Sequence, residues 1–193
     1  VLLTLMRHGL PVRDDGNRMD PGLSEEGYAQ VRAVGPYARA KGFDVVYTSP
    51  QRRAAQTADV VAAALDLPVV VDAGLVEFDH GAAYVHYDSP DVELWQRYRA
   101  GDLSPWGLTG EEFHGRIAAT MERLSSAHAG QRVLAVCHGG VVNAWTCQVL
   151  GVPDRLLLFE PGYASMHHFI YSGGKWELLG LNEVAHDLPR QFT

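Results

Sequence analysis

The chain has 193 residues, 47% of them hydrophobic and 20% charged, which leaves room for one domain with a single core and excludes a disordered or membrane-spanning class. A net charge of −7 and a pI near 5.7 count against a general binder of nucleic acid or anionic membrane, because those surfaces select basic faces through counterion release, so any anion site must be local. Lys41 and Lys175 are the only lysines, and Cys137 and Cys147 form neither a disulfide framework nor a zinc cluster, so a reducing, cytoplasmic compartment is the default expectation.

Val1 to Met6 is a continuous apolar run, the pattern of a parallel strand buried on both faces, and with no basic region ahead of it the run reads as a strand and not as a secretory signal. A helix is predicted from Ser24 to Lys41, with Ser24 as N-cap, Glu25 and Glu26 in its first turn and Gly42 as its stop. A strand over Val45 to Thr48, a helix over Arg52 to Leu65 and a strand over Val69 to Asp72 follow. From Glu77 to Gly110 the pattern breaks into aromatics, prolines and scattered charges, among them Tyr84, Tyr87, Trp95, Tyr98 and Trp106. This segment, residues 78–110, reads as an insertion lying over one end of the sheet, helical around Asp91 to Tyr98. Then come a helix over Glu111 to Ala129, a strand over Val133 to Cys137 and a helix over Val141 to Leu150. Two final strands, Ser165 to Tyr171 and Trp176 to Leu181, are joined by a hairpin turn at Ser172-Gly173-Gly174-Lys175. No stretch reaches the length of a transmembrane helix, and no linker or repeat divides the chain. The expected fold is α/β: a three-layer sandwich in one domain, with a mostly parallel sheet and helices on both faces.

Open α/β sheets place ligands in the crevice at the carboxyl ends of their strands, and four groups with phosphate chemistry fall there. Arg7-His8-Gly9 stands directly behind the first strand. Arg53 falls in the first turn of the helix after Thr48, where a guanidinium joins the helix's N-terminal N–H groups in facing an anion. His138-Gly139-Gly140 follows the strand ending at Cys137, its glycines permitting close backbone approach. Glu77 supplies a carboxyl group after the Val69 strand.

On these residues the chain resembles the histidine phosphatase superfamily, also called phosphoglycerate mutase-like, over essentially its whole length. The family's Arg-His-Gly opening matches Arg7-His8-Gly9, its Leu-(Ser/Thr)-x-x-Gly helix start matches Leu23-Ser24-Glu25-Glu26-Gly27, and its Ser-x-x-x-Arg-Ala-x-Gln-Thr-Ala segment matches Ser49 through Ala58. An acidic residue a few positions before a glycine matches Glu77 to Gly81, and the late His-Gly matches His138-Gly139. The resemblance implies that His8 is a nucleophile forming a phosphohistidine, its other ring nitrogen held by a backbone carbonyl near Gly9. Arg7, Arg53 and His138 would form the phosphate pocket, with His138 protonated once phosphate is bound, and Glu77 would serve as general acid and then base. No metal and no cofactor is implied. The expected partner is a small-molecule phosphate monoester, with a homodimer left open.

Alternatives remain at several positions. Arg52 competes with Arg53, and Asp79 with Glu77. A cysteine-nucleophile reading of Cys137 fails, because the arginine it needs six positions on is Asn143. His80, His86, His114, His128, His167, His168 and His186 match no zinc spacing. The aromatics of the insertion read as a satellite core, some of them lining the leaving-group pocket. Mutases of the family carry glutamate and asparagine where this chain has Leu10 and Asp14, and a longer, more basic segment before the second histidine, so the phosphatase branch leads. A phosphoglycerate mutase and a non-catalytic phospho-ligand binding module are the rivals. Leu10, Pro11 and Phe78, with Gly139, are expected at the substrate, favouring a neutral or apolar leaving group, and the stretch from Leu10 to Asp14 is expected to decide the substrate.

Overall fold

The computed structural model describes residues 1–14, 16–86 and 91–185. Strands β1 (Leu2–Arg7), β2 (Val45–Thr48), β3 (Val69–Val71), β4 (Arg132–Cys137), β5 (Met166–Ser172) and β6 (Lys175–Glu183) form one sheet in the order β3-β2-β4-β1-β5-β6. The first four strands pair in parallel, while β5 runs antiparallel to β1 and β6 antiparallel to β5. The mostly parallel sheet therefore carries an antiparallel hairpin on one side.

Side chains alternate across each strand, which is what divides the core in two. Val133, Ala135 and Cys137 of β4 face the helices α4 (Gly110–Ala127) and α5 (Gly139–Val149), meeting Phe113, Ile117, Met121, Val141 and Val142. Leu134 and Val136 of the same strand face α1 (Glu25–Lys41) and α2 (Arg52–Leu65), meeting Val31, Val34, Ala58 and Val61. Helices thus cover both faces, as alternating strands and helices require.

Ser24 caps α1, its hydroxyl accepting from the Gly27 N–H at 3.0 Å, and Gly42 ends the helix in the left-handed conformation at φ 67°. The inner segment of the insertion forms α3 (Val92–Arg99) and a short 3₁₀ turn at Ser104–Trp106; Tyr87 lies outside the described residues. Helix α5 starts two residues earlier than the predicted Val141. The glycines that read as loop form its first turn, because the Gly140 N–H, with no partner inside the helix, donates to Glu77 Oε2 at 2.7 Å.

The Leu-Ser-x-x-Gly start of α1 has a packing reason. The Leu10 carbonyl accepts from both the Ser24 N–H and hydroxyl, and a Cβ at Gly27 would stand 2.2 Å from that same oxygen. Gly27→Ala must push the strand-end loop off the helix, and urea denaturation is expected to show a loss of about 1–3 kcal/mol, the usual cost of overpacking; an unchanged midpoint would show that the loop yields freely.

Candidate active site

His8 is the first residue beyond β1, and the backbone at that point is clamped on both sides: its N–H donates to the Cys137 carbonyl at 3.0 Å and its carbonyl accepts from Ala164 N at 3.1 Å. The ring is buried, and Nδ1 lies 2.7 Å from the Gly9 carbonyl. A carbonyl only accepts, so Nδ1 carries the proton and Nε2 presents its lone pair. Arg53 Nε approaches that lone pair at 3.2 Å as a donor. Burial, reinforced by Arg53 and Arg7, holds the His8 pKa well below the usual histidine value. The imidazole is therefore neutral, as a nucleophile must be.

Arg53, the second residue of α2, is fully buried. Its Nη2 donates to both carboxylate oxygens of Asp79 at 2.9 and 3.1 Å, and its guanidinium lies 4.5 Å from the centre of the Tyr84 ring. Gln51 joins the two acidic neighbours, donating from Nε2 to Asp79 at 2.9 Å and accepting the Glu77 N–H at 2.7 Å. Arg7 lies over the Tyr163 ring at 4.0 Å, with Nη1 bonded to Glu160 at 3.2 Å and to the Pro161 carbonyl. His138 is fully buried, its ring centre 5.2 Å from that of His8, and its Nε2 meets the Ser49 hydroxyl at 2.8 Å.

Three buried nitrogens around His8 have no hydrogen-bond partner: Arg7 Nε, Arg53 Nη1 and His138 Nδ1. Buried polar atoms left unpaired cost free energy unless a ligand meets them, so their concentration around one imidazole, two of them on guanidinium groups, suits an anion. Gly139 keeps the approach open, since a Cβ there would stand 3.6 Å from Arg7 Nε. Burial, together with the positive charge of Arg53, Arg7 and Arg116, also keeps His138 well below its usual pKa.

Glu77 is buried with Oε2 accepting from Gly140 N at 2.7 Å and Oε1 from Phe78 N at 3.0 Å. Burial, then the charge of Asp79, raises its pKa to about 7 against those two bonds. Near neutrality its protonated and ionised forms are therefore both populated. Asp79, the rival acid, is committed to Arg53 and Gln51.

A model of the histidine phosphatase superfamily (branch 1) matches residues 3–184. The chain belongs to the histidine phosphatase superfamily. It is similar to the phosphatase PhoE of Bacillus subtilis, 28% identical with 94% of each chain covered. It is 33% identical to a 2,3-bisphosphoglycerate-dependent phosphoglycerate mutase of Methylobacterium over 74% of this chain and 77% of the mutase. Among solved structures, a mycobacterial glucosyl-3-phosphoglycerate phosphatase complexed with inorganic phosphate superposes with a TM-score of 0.76 at 25% identity, covering 95% of this chain and 98% of that one.

In this histidine phosphatase the cavity beside His8 is lined by Arg7, Arg53, Glu77, Phe78 and Gly139, while His138 is fully buried and outside the lining. Two expectations are corrected. Leu10 and Pro11 do not line the cavity: the Leu10 N–H donates to Gln30 at 2.9 Å, its carbonyl is held by Ser24, and Pro11 bridges to Leu23, so the chain turns away onto α1 immediately after Gly9. None of Leu10 to Asp14 is among the residues lining the cavity. Much of the remainder of the cavity lining comes from the insertion, through Tyr84, Val85, Trp95, Tyr98 and Trp106.

Arg52 is exposed, and Arg53 is the buried one. Three of the described histidines outside the pocket bond locally: His114 meets the Arg155 carbonyl at 3.0 Å, His128 meets Tyr47 at 2.8 Å, and His167 meets Ser165 at 2.9 Å. His186 lies outside the described residues. Among the described residues no helix is long and apolar enough to cross a membrane.

Sequence reasoning missed Ser49, Gln51, Asn143, Glu160 and Tyr163. Ser49 and Gln51 lie inside a quoted motif and were within reach. Asn143 sits one helical turn beyond Gly139 and ties α5 to the loop ahead of β5, donating to the Gly139 and Phe159 carbonyls and accepting from Leu158 N at 2.8 Å. Glu160 and Tyr163 arrive from an irregular loop with no periodic signal.

Proposed function

We propose that the protein is a phosphatase that hydrolyses small-molecule phosphate monoesters, without a metal, through a phosphohistidine on His8. The observation that carries this reading is the neutral His8 with its lone pair at Nε2, set among three buried nitrogens without hydrogen-bond partners and beside a carboxyl group whose pKa stands at about 7. In the first step Nε2 attacks phosphorus, the P–O ester bond breaks, and Glu77 gives its proton to the departing alkoxide. In the second, water attacks phosphorus, its proton passes to the Glu77 carboxylate, and the P–N bond breaks, returning neutral His8 and inorganic phosphate. Arg7, Arg53 and His138 face the equatorial oxygens, where charge develops in transfer. A phosphate dianion against His138 would favour its imidazolium, which ties its protonation to the presence of ligand.

Residues 1–193 then act as one catalytic domain with the 78–110 segment as its cap. The buried, unpaired thiols of Cys137 and Cys147 suit a reducing cytoplasm. A module that only binds a phospho-ligand has no use for a neutral imidazole opposite a protonated acid. A mutase must hold a second anionic group, and the cavity offers no guanidinium or ammonium beyond Arg7 and Arg53 among the described residues.

The test is release of inorganic phosphate from a panel of monoesters in the presence of a chelator, run beside isomerisation of phosphoglycerate with its bisphosphate. Phosphate release unaffected by chelation is expected. Rapid isomerisation with little phosphate released would replace the phosphatase by a mutase.

A further inference from the structure

We propose that the alcohol half of the substrate is aromatic or otherwise apolar and carries no second acidic group. The inference rests on the phosphatase reading and narrows it. The leaving oxygen has to meet the Glu77 carboxyl, and the next residue, Phe78, opens the wall that the departing group must pass. The Phe78 ring stacks on Tyr98 with centroids 4.8 Å apart and meets Trp106 edge-on at 4.7 Å. Tyr84, Val85 and Trp95 extend the same surface along the cavity. Such a wall gains by covering apolar area and contributes no charge. The Trp95 indole N–H is buried without a partner, a neutral donor suited to a hydroxyl, ether or carbonyl oxygen.

The distribution of charge points the same way. Both guanidinium groups that line the cavity already hold a carboxylate, Arg53 through Asp79 and Arg7 through Glu160. The nitrogens of these two groups that are buried without a hydrogen-bond partner, Nη1 of Arg53 and Nε of Arg7, are the ones the phosphoryl group would take up. The next guanidinium, Arg116, is outside the lining and donates to the Val76 carbonyl at 2.8 Å. A carboxylate or second phosphate on the substrate would find Glu160 at the rim, its side chain 44% exposed, with Asp79 beyond it. Like charges repel, and among the described residues the cavity lining holds no guanidinium or ammonium beyond Arg7 and Arg53 to offset them.

The decisive comparison uses esters whose leaving oxygens are all alkyl, so that leaving-group acidity does not set the order. Benzyl phosphate is expected to exceed methyl phosphate, phosphoserine and 3-phosphoglycerate in kcat/KM by ~100-fold, the scale on which a hydrophobic pocket discriminates. Trp106→Ala is expected to lower kcat/KM for benzyl phosphate by about 10-fold, mainly through KM. In parallel, benzylphosphonate and 3-phosphoglycerate are titrated calorimetrically into the His8→Ala variant, where no turnover intervenes. Tighter binding of benzylphosphonate supports the inference even if no ester is hydrolysed, an outcome that would sink only the phosphatase reading. Preference for phosphoserine or 3-phosphoglycerate, equal rates on methyl and benzyl phosphate, or no binding of benzylphosphonate would each overturn the inference. In the first two cases the phosphatase would stand.

Discussion

Replacing His8 with alanine is expected to reduce phosphate release by about 10⁴-fold or more, the scale seen when a covalent nucleophile is removed. The two nearest rivals among the described residues are poorly suited to take its place. Cys137 is fully buried on the sheet, and burial drives its thiol far above the ordinary cysteine range. His138 keeps Nε2 occupied by Ser49. The fold should survive, because the His8 backbone bonds to Cys137 and Ala164 do not involve the ring, and Arg53 retains Asp79. Thermal unfolding followed by circular dichroism reads the fold. Brief exposure of the wild-type protein to substrate should leave an acid-labile, base-stable phosphate on His8, and the variant should carry none. Undiminished turnover in the variant, or a label that persists elsewhere, would remove His8 from the mechanism.

Glu77→Gln is expected to cost about 10²–10⁴-fold in kcat on alkyl esters, the usual contribution of a positioned general acid. The glutamine keeps the shape but cannot supply a proton. Direction with pH follows from the raised pKa. Below about 7 the Glu77 carboxyl is protonated and can donate; as pH rises through that value it ionises, and kcat/KM on an alkyl ester should fall. His8, held well below the usual histidine value, stays neutral across the same range and adds no limb there. The variant should lose the basic limb altogether. Esters of acidic phenols, whose leaving groups depart without a proton, should be hurt far less. An alkyl-ester profile in the variant that keeps the wild-type basic limb would assign that limb to another group.

Much of this site was legible in the chain because its parts are local. A strand buried on both faces announces itself as an apolar run, and the residue after it stands at the sheet's carboxyl end, which located His8 and His138 without any tertiary information. Arg53 followed from its place in the first turn of α2, and the N-cap at Ser24 from ordinary helix chemistry. The residues lining the cavity were less legible, for an equally physical reason. Leu10 and Pro11 are near His8 in sequence, but hydrogen bonds to Gln30 and Ser24 carry them onto α1.

The sequence by itself determined the α/β alternation, the family, and the chemical types gathered at the strand ends. Only the tertiary structure decided the antiparallel docking of β5 against β1, the aromatic wall of the insertion, and the protonation states on which the chemistry turns. Periodicity and capping are properties of neighbouring residues. A pKa or a pocket's charge is a sum over burial and partners brought from far along the chain, as when Gly140 bonds Glu77 and Glu160 meets Arg7.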